Sequence, residues 1–214
     1  MNGRKLQDRL YWGLGRSARH VGQSADAIRP NGPFNPMDPQ NRFLRMPATF
    51  KSANGSDTKT NSYGEALWQG VFDGSYTRVG DYLVLAHGTY FVISQAPLLS
   101  IMCVRTNRTI SISRPNPQTT TAANVYGGYT SNNSTILMSG WPASVLGETK
   151  TGVSANGLPS DQTSPTWAVL VPAPDGVFLS AGDIVTDDLS RTAVIAGAEL
   201  TDLGWRISAK MATS

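Results

Sequence analysis

The chain of 214 residues is sized for one large domain or two small ones, and its charged fraction of 15% lies well below the usual ~25%. So little charge, with abundant Ser, Thr, Asn and Gly, argues against a helical bundle and predicts an all-β chain, a β-sandwich or barrel-like body with long polar loops. A single cysteine (Cys103) excludes an intrachain disulfide, two histidines (His20, His87) exclude a multi-histidine metal centre, and no apolar run reaches the ~18 residues of a membrane helix.

Charge is unevenly placed. Residues 1–50 hold eight basic and three acidic side chains, and residues 51–214 hold ten and twelve. A basic N-terminal region on a mildly acidic body predicts docking on something negative, either nucleic acid or an acidic protein face. The N-terminus itself lacks the apolar core of a secretory signal, which points to a protein made in a reducing compartment, the host cytoplasm, and not exported by a signal peptide.

In chain order, Leu6, Leu10, Leu14 and Ala18 recur at four-residue spacing and predict a short amphipathic helix over 3–20. Gly13, Gly15 and Gly22 weaken it by about 1 kcal/mol each. From 28 to 49, Pro30, Pro33, Pro36, Pro39 and Pro47 argue against both helix and central strand. That stretch reads as an extended arm with Phe34, Met37, Phe43 and Leu44 as anchors, giving an N-terminal unit over 1–50. Residues 51–64 read as a polar loop.

The body, 51–214, carries the strand signals. Strands are predicted at 82–85, 89–93 and 109–113, with His87-Gly88 as a hairpin turn and Ile110 and Ile112 facing inward. Residues 115–166 hold only three charged side chains and one apolar island, 136–146, which reads as one or two strands between contact-bearing loops. Further strands are predicted at 167–171, 183–185, 192–195 and 204–209.

Two blocks share a layout. Trp68 precedes Gly80-Asp81 and a strand pair, as Trp167 precedes Gly182-Asp183 and another. The Gly-Asp pairs make tight turns in which the carboxylate caps backbone N–H groups. This suggests two related β units, about 65–114 and 167–211, joined by the polar loop region.

No catalytic constellation emerges. His20 and His87 lack any nucleophile-elbow context, and Asp183, Asp187 and Asp188 depart from the spacing of a calcium loop. Cys103 reads as a buried strand residue, and Trp141 as either core or an exposed sugar-stacking platform. No enzyme activity, metal or cofactor is therefore expected.

Taken together, Ile28-Arg29-Pro30, the block Val79-Gly80-Asp81-Tyr82-Leu83-Val84 with Gly88-Thr89-Tyr90-Phe91-Val92, and the ending Gly182-Asp183 to Gly204-Trp205-Arg206 resemble structural proteins of tailed bacteriophages. The similar proteins are small β-rich connector, stopper and collar subunits of the head–tail neck. The resemblance spans most of residues 20–210 and implies a homo-oligomeric ring in the virion. Its implied neighbours are other virion proteins such as a portal, a connector or a tail terminator, with no membrane partner and nucleic acid less favoured. On this reading Arg9, Arg16, Arg19, Arg29, Pro30, Phe34, Phe43 and Leu44 form the subunit or partner interface. The rival readings are a tail or baseplate component and a carbohydrate-binding host-recognition module.

Overall fold

The computed structural model describes residues 3–53, 65–116, 134–148 and 166–211. One helix, α1 (Gly3–Val21), precedes six strands: β1 (Gln23–Ile28), β2 (Arg42–Ser52), β3 (Leu67–Val71), β4 (Tyr82–Leu85), β5 (Gly88–Ser94) and β6 (Ile101–Arg105). Six more follow: β7 (Arg108–Pro115), β8 (Ser134–Glu148), β9 (Thr166–Val171), β10 (Ile184–Asp187), β11 (Thr192–Thr201) and β12 (Gly204–Met211). Among the described residues the protein is all-β apart from α1 and a single turn of 3-10 helix. Its strands close two barrels, ordered β1-β2-β3-β6-β5-β4 and β7-β8-β9-β12-β11-β10, every neighbouring pair antiparallel. Among the described residues no helix is long and apolar enough to cross a membrane.

The extended arm expected over 28–49 is a correction. Its two ends are β1 and β2, which pair with each other and with β4 and β3 inside the first barrel. Pro47 lies within β2 because β3 joins β2 only from Thr49 onward, so one side of the strand has no neighbour there. Pro142 sits the same way in β8, which β9 joins from Ser144 onward. What remains of the arm is the connection 29–41.

The two β units also fall elsewhere than expected. They run from β1 to β6 and from β7 to β12, rather than over 65–114 and 167–211, and only Thr106 and Asn107 separate them. The expected island at 136–146 is one continuous strand, β8. Much of the polar stretches 51–64 and 115–166, with their expected contact-bearing loops, lies outside the described residues.

Corresponding registers show how closely the barrels agree. Met46-Pro47-Ala48 pairs with β1 as Trp141-Pro142-Ala143 pairs with β7. Each barrel also carries a bidentate clasp at the equivalent place. Arg29 donates from Nε and Nη2 to Asp81 at 2.8 and 2.7 Å, and Arg114 donates likewise to Asp183 at 2.7 and 2.9 Å. The second carboxylate oxygen of each aspartate accepts a backbone N–H three residues upstream, from Arg78 and from Ser180. The guanidinium of each also reaches a carbonyl, that of Tyr76 or Phe178. Both aspartates are buried, so each arginine meets a charge that water does not reach.

Side chains fill both interiors. Ala25, Ala27, Met46, Leu83, Val92 and Cys103 line the first barrel; Ile110, Ile112, Trp141, Val169, Ile195 and Ile207 line the second. The unbroken apolar runs in β4 and β5 have a cause that alternation alone misses. Leu83, Tyr90 and Val92 face the first interior, whereas Tyr82, Phe91 and Ile93 point outward and join the second barrel's core. Burying a large apolar side chain stabilises by about 1.5–3 kcal/mol, so these outward residues fasten the two barrels together. The Tyr82 hydroxyl donates to the Pro142 carbonyl at 2.7 Å, and burial pushes its pKa well above the ordinary tyrosine value. Asn107 completes the seam, its amide and carbonyl groups bonding Val145 O and Val145 N, both at 2.8 Å.

Candidate interaction site

α1 lies outside the barrel wall and seals it. Tyr11 and Leu14 pack on the first core, and Gly15 and Ala18 are buried beneath the helix, so the seated face keeps Leu14 and Ala18 of the expected stripe and leaves Leu6 exposed. Gly15 was expected to weaken the helix; it is what lets the helix settle. A Cβ there would come within 2.9 Å of Asp73 Cβ, and one on Gly74 within 2.7 Å of the Tyr11 ring. The helix ends as Gly22 N–H donates to the Ala18 carbonyl at 2.7 Å.

A cleft of about 570 Å³ opens between α1 and β2. Trp12, Arg16, Arg19 and His20 form the helix side, and Leu44 to Pro47 the strand side, with Tyr76 at the rim. Trp12 is 62% exposed, an unusual position for so large an apolar ring, and the Arg16 guanidinium stacks 5.5 Å from its centroid. Arg45 is held by Asp26 through bonds of 2.7 and 3.2 Å, and that contact draws the Asp26 carboxyl below its ordinary pKa. Among the described residues Arg9, Arg16 and Arg19 are exposed and form no ion pair. Asp73 also lines the cleft, and Arg16 and Arg19, which form no ion pair among the described residues, stand there beside aromatic and aliphatic surface, a combination that accepts carboxylates flanked by apolar groups.

The expected interface residues separate into two groups. Arg9, Arg16, Arg19 and Leu44 belong to α1 and its cleft. Arg29 does not stand free: it is clasped to Asp81 and stacks 4.4 Å from the Phe43 ring centroid. Pro30 borders a smaller hollow at the seam, and Phe34 bridges to Ser139 of β8 while remaining half exposed. These act within the chain: Arg29 and Phe43 inside the first barrel, Pro30 and Phe34 where it meets the second. Sequence reasoning missed Trp12 and Tyr76, whose exposure no local pattern announces.

The remaining candidates are occupied or buried. The exposed platform considered for Trp141 is a correction: the ring is 1% exposed and its Nε1–H donates to the Pro33 carbonyl at 2.7 Å. Cys103 is buried, which pushes its thiol pKa up. At Asp187, burial opposes ionisation, but hydrogen bonds from Arg191 and two backbone N–H groups outweigh it and hold the carboxyl below its ordinary pKa. Asp183 is bound to Arg114, and among the described residues no three His, Cys, Asp or Glu side chains gather as a metal site. His87 bonds Gln23 at 2.9 Å. No family model, curated protein or solved structure matches the chain.

Proposed function

We propose that the protein is a structural subunit of a tailed-phage virion, forming a ring at the head–tail neck through its N-terminal helix. The observation that carries the assembly part of this reading is α1: a helix seated outside a closed barrel, with Trp12 exposed and Arg9, Arg16 and Arg19 forming no ion pair among the described residues. An isolated subunit gains nothing from an exposed tryptophan, whereas an interface does. The neck assignment rests on the sequence resemblance. Filled barrel interiors and bound acidic side chains favour a building block over a catalyst. A tail or baseplate position fits the same surfaces, and the burial of Trp141 removes the ring on which the sugar-binding alternative depended.

The test is native mass by light scattering for the full chain and for Arg9→Glu/Arg16→Glu/Arg19→Glu, all three at exposed helix positions. Smaller species in the variant, with unchanged circular dichroism, support the reading. Assemblies of equal mass from both proteins overturn the role of α1. Deleting residues 1–50 is the wrong experiment, because it removes β1 and most of β2.

A further inference from the structure

Both sides of the seam inside the chain have counterparts elsewhere in the molecule. Met46-Pro47-Ala48 in the first barrel holds the register position of Trp141-Pro142-Ala143 in the second. In the second barrel that seat is filled: Tyr82 bonds Pro142, and the Pro33–Asn35 segment bonds Trp141 and Ser139. In the first barrel Met46 and Pro47 line the cleft beside α1. The inserting face has a counterpart too. Tyr82 pairs with Phe91 across β4 and β5, and Ile184 pairs with Val194 across β10 and β11. Tyr82 and Phe91 are buried in the seam, whereas Ile184 is partly exposed and Val194 is 42% exposed.

We propose that a second copy of this chain docks head to tail, its β10–β11 face entering the α1–β2 cleft, so that the contact between chains repeats the seam within each chain. This inference rests on the assembly reading above and names the surface that assembly would use. Charge supports the direction. Residues 1–107 carry 12 basic and 7 acidic side chains, and residues 108–214 carry 6 and 8, so the two halves have opposite net charge, with Lys210 a local basic exception on the inserting face. Substitutions on the inserting face set the strength. Thr186 and Lys210 stand where the first barrel has Val84 and Val104, which makes the contact between chains more polar than the internal seam. The docked contact is therefore reversible and salt-dependent, while the internal seam is permanent. Seat and face are different surfaces, so the contact is heterologous and closes into a ring when the rotation per copy allows.

Val194→Arg tests the face without disturbing the barrel, because the side chain is exposed. Dilution series by light scattering would compare the full chain, Val194→Arg, Arg16→Glu/Arg19→Glu, and the triple variant. Each separate change is expected to weaken self-association at least about tenfold, and the triple variant to regain most of it as the introduced guanidinium meets the introduced carboxylates. Self-association of Val194→Arg equal to the full chain overturns head-to-tail docking, as does a triple variant no better than its parents. A loss confined to the α1 variant would sink this inference and leave assembly through the helix standing. A full chain that stays monomeric throughout would sink the docking too.

Discussion

The two barrels share one hydrogen-bonded frame but are filled from different sources. The first uses small side chains, Ala25, Ala27 and Ala48, and borrows Tyr11 and Leu14 from α1 to complete its core. The second supplies its own bulk in Trp141, Trp167 and Trp205, and takes Tyr82 and Phe91 from its neighbour. Strand order and the Arg–Asp clasps stay constant between them, whereas core volume and outer surface do not. A barrel of this kind specifies its frame through register and a few buried polar bonds, and specifies its partners through whichever large residues cross its wall.

The comparison can be broken most severely at the seam. Trp141→Ala removes the second barrel's bond to Pro33 and leaves a cavity beneath Tyr82; urea unfolding should show a loss of about 3–5 kcal/mol. The corresponding Met46→Ala should cost less, about 2–3 kcal/mol, since a smaller side chain is lost. Equal costs would mean that the two seats are not loaded differently. The clasps sharpen the other half of the comparison. Asp81→Ala and Asp183→Ala each remove a buried carboxylate from a partly exposed arginine and strand one backbone N–H. Losses of about 2 kcal/mol are expected for both, similar to each other, because the two geometries match. A large inequality would show that one clasp is incidental.

Tyr82→Phe should cost about 1 kcal/mol, the worth of one buried hydrogen bond whose carbonyl partner is stranded. The smallest effect is acid-linked. The Asp187 pKa lies below the ordinary 3.8, so its contribution is present above that value and is lost as pH falls through the depressed one. The melting-temperature gap between the full chain and Asp187→Asn should therefore shrink on acidification below about pH 4. A gap independent of pH would assign the stabilisation to something other than the Arg191 contact.

Fold class was readable because β-branched and aromatic runs alternate with turn residues, and α1 was readable from its apolar spacing. β1 and β2 were hidden by prolines, whose cost depends on whether a strand has a neighbour on the relevant side; only the pairing shows that. The duplication was partly visible in the two Gly-Asp turns. A better signal, Met46-Pro47-Ala48-Thr49 against Trp141-Pro142-Ala143-Ser144, lay in the stretch read as an arm. For the candidate site, the net positive charge of the helix was legible, but charge alone could not separate Arg29, which is spent on Asp81, from Arg16 and Arg19, which are not. That distinction needs a partner some fifty residues away.

Barrel closure has a further consequence for how such a protein can be crowded. β4 returns to β1 and β10 to β7, so backbone left without a neighbouring strand is confined to short stretches such as Arg42–Ala48 of β2, which Pro47 interrupts. Association through these barrels must then be written in side chains, and a single charge can erase it. Subunits held side by side at high local density offer only a short, proline-interrupted backbone template for stacking, so a mistaken contact between barrels can come apart and be tried again.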